Sequence, residues 1–323
     1  MQTRGGDLRP GTAPRNIGRE GDRTALAAAF NLAPMSLPRR DFLRHIGLFS
    51  AALWLGDDIM AQRYRSVLAQ TTPRKLALLV GVDQYPRFAS VPALKGCATD
   101  VELHCELLVH RFGFNRSDVL MLTADAATRS NIEAAFATHL ADQVRPGDIV
   151  VFHFSGYGCM VRTQPTGAPS YSDQKALLPI DSWVPNPIAD QPPLFNGIYE
   201  DTLFLLLRTL KTNGVVTLLD LGVQPILDLR CRSLRERSLP LWTTTELSIA
   251  ELILQERLLQ QTQLTRDQIQ AQRQAGQLPG LVLAAASDAQ PTALERDENQ
   301  GAAGVFTSSL TQRLWDSSPA TTL

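Results

Sequence analysis

The 323-residue chain has no charge surplus of either sign: 31 Lys and Arg stand against 32 Asp and Glu, a formal net charge of -1. Binding to nucleic acid through its phosphates calls for a basic excess, so no nucleic-acid partner is expected. Cysteine is scarce. Cys97, Cys105, Cys159 and Cys231 are scattered, which excludes a disulfide framework, and no zinc-type Cys/His spacing occurs, so no metal ligand set is assigned. The cysteines read mostly as small buried hydrophobes. No internal repeat is present. The hydrophobic fraction, 44%, is that of an ordinary globular protein of one large domain or two small ones.

The N-terminus reads as an address. Residues 1–34 are rich in Gly, Arg and Pro and lack periodicity, so they read as disordered or as an over-extended start, with Met35 a candidate initiator. Residues 35–70 then hold Arg39 and Arg40, Phe42 and Leu43, and an apolar run from Ile46 to Leu55. This resembles a twin-arginine export signal, with Val67 and Ala69 marking a cleavage site before Gln70. The run is shorter than the roughly 20 residues of a membrane span. The expected location is therefore extracytoplasmic, with membrane contact only through an uncleaved signal. The alternative is a short amphipathic helix with a chance arginine pair, and a cytoplasmic protein.

From residue 75 strands alternate with helices. KLALLVGV (75–82), SDVLMLT (117–123), PGDIVVFHFSG (146–156), GVVTLLD (214–220) and LVLAAAS (281–287) read as buried strands, with KALLPI (175–180) a shorter one. Helices are expected over 98–113, 128–144 (capped by Ser130 or Asn131), 199–213 and 304–315. Such alternation predicts a mainly parallel α/β sheet with helices on both faces. Chemistry in these sheets sits at the carboxyl ends of strands, here Asp83, Ser155–Tyr157 and Asp220–Gly222. Residues 223–280, with an Arg-rich stretch and an amphipathic pattern over 246–264, read as a helical insertion or inter-subunit linker.

LALLVGVDQYP, LKGCATDVE, RFGF and LTADAATRSNI resemble the first half of a caspase-type peptidase domain, most of all bacterial metacaspases or orthocaspases of peptidase family C14. The resemblance spans about residues 74–320, in the family's order. It implies a caspase-like (caspase/haemoglobinase) three-layer sandwich. Residues 74–222 would be the large-subunit-type part and 281–323 the small-subunit-type part, the latter expected to continue in a longer product. It also implies cysteine-type endopeptidase activity after Arg or Lys.

The departures fall on the reactive groups. VFHFSGYG puts Tyr157 where the family's H-x-S-G-H-G carries its catalytic histidine, and VVTLLDLGV puts Gly222 where D-x-C carries the cysteine nucleophile. Glycine offers no nucleophile, and a phenol with an ordinary pKa of about 10 is a poor proton shuttle at neutral pH. Losing a dyad that acts as a unit costs roughly 10⁶ in turnover. The expectation is a pseudoenzyme.

Four positions that line the family's pocket for a basic side chain are kept: Cys97, Asp100, Ser155 and Asp220. The resemblance therefore implies a partner bearing Arg or Lys, a basic peptide or a protein. The plain alternative is that Asp100 serves a helix start and Asp220 ends a strand. Three further readings stay open: a displaced nucleophile, Cys159 paired with His153; Cys231 in its Arg-rich loop; and a structural module in which the cleft does nothing. No cofactor is expected. Calcium enters only through the resemblance, and Asp173 and Asp181 (within 170–181) lack the carboxylate density that about six to eight oxygen ligands need.

Overall fold

The structure, a computed structural model, describes residues 57–87, 91–164, 172–182, 196–221, 234–236, 243–275, 277, 279–285, 294–298 and 301–316. The extension 1–34, the twin arginines and the apolar run lie outside the described residues, as do Gly222 and Cys231.

Five parallel strands form the central sheet: β1 (Lys75–Gly81), β2 (Val119–Thr123), β3 (Ile149–Ser155), β7 (Gly214–Asp220) and β10 (Leu281–Ala284), in the order β10-β7-β3-β1-β2. All seven residues of β3 are buried, as expected of a central strand covered on both faces. Alternation sends Ala77, Leu79, Ile149, Val151, Val216 and Leu218 into one apolar core. Three helices supply the rest of that layer: α1 (Asp57–Leu68), α2 (Cys97–Phe112) and α7 (Val305–Asp316). On the opposite face Phe152 meets Phe136 edge-on at 5.7 Å, just past α3 (Arg129–Ala135). The result is the caspase-like α/β layering expected from the strand and helix pattern.

Helix α1 lies inside the stretch read as an export signal. Ala61, Tyr64 and Leu68 recur at helical spacing and are buried, the last two completely. Lys75 Nζ donates to the Leu68 and Phe112 carbonyls at 2.7 Å each, tying the ends of α1 and α2 to the start of β1. Cleavage before Gln70 would pull a helix out of the core, so residues 57–68 belong to the folded body. Among the described residues no helix is long and apolar enough to cross a membrane.

The stretch read as a helical insertion or linker holds two helices. Its helix α5 (Ile249–Thr262) is capped by Ser248, whose side chain accepts from the Glu251 N–H. Glu251 is 1% exposed and pairs with Arg129, and it accepts from Thr202 on α4 (Glu200–Arg208) and from Gln255 at 2.7 Å. A buried carboxylate with its partners in α3 and α4 fixes α5 to its own domain rather than leaving it as an inter-subunit linker. α6 (Arg266–Gln274) follows it.

A second sheet was not anticipated. β4 (Gly158–Gln164) pairs antiparallel with β5 (Ser172–Leu177), flanked by β6 (Ile198–Tyr199) and β9 (Thr243–Glu246). β8 (Leu234–Glu236), β11 (Leu294–Glu298) and β12 (Gly301–Gly304) make a third. The cap of α3 is Thr128, which accepts from Asn131 N–H, rather than Ser130 or Asn131 itself.

Leu68→Ala should lower unfolding free energy by about 2–4 kcal/mol, the cost of a buried leucine truncation. Ile59→Ala, at a residue 59% exposed on the same helix, should change it by less than about 0.5 kcal/mol. Urea denaturation of both variants measures this, and equal, small effects would show that α1 is no part of the core.

Candidate functional site

The site is built at the carboxyl ends of β1, β3 and β7. Parallel register sets Ser155 beside both Gly81 and Asp220. Period-two alternation puts His153 and Ser155 on the face that α2 and α7 cover. Helix α2 is started by Asp83, whose carboxylate accepts from the Cys97 and Ala98 N–H groups at 2.7 and 3.2 Å. Spacings of three and four residues then turn Cys97, Asp100 and His104 toward the sheet, and all three are buried. Gly96 permits the close approach of β12, since a Cβ there would lie 2.7 Å from the Ala303 backbone.

Asp100 and Asp220 are both completely buried and both receive the start of α7. Asp100 Oδ1 accepts from Gly304 N–H at 2.8 Å, and its Oδ2 accepts from Ser155 Oγ at 2.7 Å. Asp220 Oδ2 accepts from the Thr307 N–H at 3.0 Å and from its hydroxyl at 2.6 Å. Carboxylates at a helix N-terminus satisfy donors that the helix cannot use and complement its dipole. The structure thus brings together Asp100, Ser155 and Asp220, with Cys97 one turn away.

Tyr157 sits on the turn after β3 and is 3% exposed. Its hydroxyl donates to the Pro92 carbonyl at 3.0 Å, its N–H donates to Tyr85 Oη at 2.8 Å, and its carbonyl accepts from Leu178 N–H at 3.1 Å. The two rings lie 5.2 Å apart. Burial pushes the Tyr85 phenol well above its ordinary value. Gly156 N–H donates to the Asp220 carbonyl at 3.3 Å, and a Cβ on Gly156 would meet Tyr85 Oη at 2.7 Å. The N–H groups of Gly156 and Tyr157 thus serve the fold.

The displaced-nucleophile reading finds no support here. Cys97, Cys105 and Cys159 are buried. Burial raises the Cys159 thiol far above its ordinary value, the opposite of what a nucleophile needs. The His153 ring meets His104 and Thr307. The calcium donors do not converge either. Asp173 pairs with Arg162 at 2.8 Å, and Asp181 accepts from the Arg129 N–H at 2.8 Å. Among the described residues no group of three or more His, Cys, Asp or Glu could hold a metal ion.

One polar array escaped the sequence reading. His104 Nε2 and the Tyr64 hydroxyl share a short hydrogen bond, His104 Nδ1 lies 3.0 Å from His153 Nδ1, and His153 Nε2 lies 3.5 Å from Thr307 Oγ1. Its one signal is His104 standing four residues after Asp100 on a helix face otherwise apolar. Burial lowers the His104 pKa to about 3, so the imidazole is neutral near pH 7.

The caspase domain family, Peptidase C14, matches residues 74–323. The chain is 30% identical over 171 residues to Metacaspase-1 of the yeast Meyerozyma guilliermondii, covering 46% of this chain and 40% of that protein. It is 36% identical over 96 residues to Metacaspase-1 of Cryptococcus neoformans, covering 28% and 20%. Against Metacaspase-9 of Arabidopsis thaliana it is 33% identical over 114 residues, covering 33% and 34%. The chain thus spans well under half the length of these relatives.

Two outcomes follow from these environments. Native protein treated with iodoacetamide at pH 8 should leave Cys159 unmodified until it is unfolded, and rapid stoichiometric alkylation there would overturn this assignment. Stability should also depend on His104. Unfolded, a histidine takes its proton near pH 6.5; folded, His104 takes it only near 3. Between these values the unfolded state holds more protons, so the contribution is complete above about pH 6.5 and is lost as pH falls toward 3. The urea midpoint should drop through that window, and His104→Gln should make the drop shallower; an unchanged slope would contradict the burial argument.

Proposed function

The chain belongs to the caspase-domain family, and on that premise we propose that it is a catalytically silent, orthocaspase-type member that binds a basic peptide or protein partner. The observation that carries this reading is Tyr157. At the position that the resemblance gives to the catalytic histidine stands a buried phenol whose hydroxyl is committed to the Pro92 carbonyl. A phenol held this way neither takes a proton from a thiol nor passes one to a leaving amine. The sequence supports the other half: Gly222 has no side chain to attack a carbonyl.

The floor beside this turn keeps its charge chemistry. Asp100, Ser155 and Asp220 cluster at one strand end, with Cys97 close by, and two carboxylates there favour a guanidinium or ammonium group. We take an Arg- or Lys-bearing segment as the ligand class. Export through the Arg39–Arg40 segment belongs to the same proposal, with the mature chain keeping α1.

A second reading is favoured by one observation. Both carboxylates are completely buried and already accept donors from α7 or β12, which is what purely structural anchors would do. On that reading the domain is a structural module and the floor takes no ligand.

Fluorescence polarisation of labelled peptides with a free Arg or Lys C-terminus, titrated with the full chain, separates the two. Saturable binding, weakened about tenfold or more by Asp220→Asn in a variant that still unfolds cooperatively, is the expected result. No binding, or binding indifferent to Asp100→Asn and Asp220→Asn, would leave the structural module.

A further inference from the structure

The polar array in the core has a direction, and its bonds fix it. Thr307 Oγ1 lies 2.6 Å from Asp220 Oδ2, and a carboxylate only accepts, so the threonine hydrogen points at Asp220. Thr307 Oγ1 can then only accept from His153, which places a proton on His153 Nε2. With His153 neutral, its Nδ1 is bare and accepts from His104 across 3.0 Å. That puts the His104 proton on Nδ1, leaves Nε2 bare, and makes Tyr64 the donor to it. Tyr64, His104, His153, Thr307 and Asp220 are all at most 1% exposed, so no bulk water competes for these bonds.

We propose that Tyr64, His104, His153 and Thr307 are positioning residues for Asp220, a one-way hydrogen-bond chain that couples the N-terminal helix α1 to the carboxylate on the cleft floor. Four donors in series, all pointing toward the carboxylate, polarise one another and fix its orientation. The chain starts on α1, crosses α2 and β3, and ends where β7 meets α7. A change in how α1 is seated therefore reaches Asp220 without touching the cleft. For ligand binding this inference rests on the proposed basic-side-chain site; the chain itself does not.

Nitrogen-15 NMR of the full chain labelled at histidine tests the chain directly. The expected spectrum at pH 7 shows two neutral imidazoles of opposite tautomer, His104 protonated at Nδ1 and His153 at Nε2. Asp220→Asn should move the nitrogens of His104, two side chains away, and Tyr64→Phe should move those of His153. Thr307→Val should break the coupling and Thr307→Ser should keep it, with circular dichroism confirming that each variant is folded. His104 protonated at Nε2, a cationic His153, or shifts confined to the nearest histidine would overturn the proposal. In the peptide titration Tyr64→Phe should weaken binding about three- to tenfold, the scale of one lost hydrogen bond. Wild-type protein that binds no peptide yet shows the stated tautomers and coupling would remove the ligand reading and leave the chain standing.

Discussion

Two buried carboxylates hold this molecule together at its functional end. Asp100 and Asp220 come from different elements, a helix and a strand; Asp100 holds Gly304 at the end of β12, just before the C-terminal helix, and Asp220 holds Thr307 in that helix's first turn. A carboxylate buried without donors would cost several kcal/mol. Here the donors are backbone N–H groups that a helix start leaves over, with one hydroxyl each from Ser155 and Thr307. Sheet, α2 and α7 are therefore fixed relative to one another at the place where a peptidase of this family keeps its cleft.

On the proposed reading, that arrangement lets reactive groups be lost without loss of the fold. The anchors and the cutting groups are different residues. A tyrosine at the turn packs its ring tilted against Tyr85 and finds an acceptor in Pro92, so its own buried hydroxyl is satisfied. The same logic governs the far face, where Glu251 draws Arg129, Thr202 and Gln255 around one carboxylate and seats the insertion helix. Charge is used here to join elements, and the thiols that remain among the described residues are buried away from chemistry.

Much of this was legible in sequence. The apolar runs that became β1, β3 and β7 could hardly be anything else, and Gly113, with φ of 70°, ends α2 where a glycine stop was read. What stayed hidden was tertiary. Nothing local links Thr307 to Asp220, 87 positions earlier, or Tyr64 to His104. The hairpin strand β4 did carry a signal, since Cys159, Val161 and Thr163 are buried in alternation while Arg162 is exposed, but the preceding Gly-rich turn drew the reading toward a catalytic loop. The packing of helix α1 had little local signal, because its apolar positions are few and follow directly on an export-like segment.

The claim that the cleft keeps its floor and has lost its cutting groups is tested most directly by turnover. Full-length protein, retaining α1, would be incubated with fluorogenic peptides ending in Arg or Lys, with and without calcium, beside Cys159→Ser. The account predicts no hydrolysis above the uncatalysed rate under any of these conditions. Hydrolysis that co-purifies with the folded chain would contradict it, and its loss in Cys159→Ser would name a relocated nucleophile.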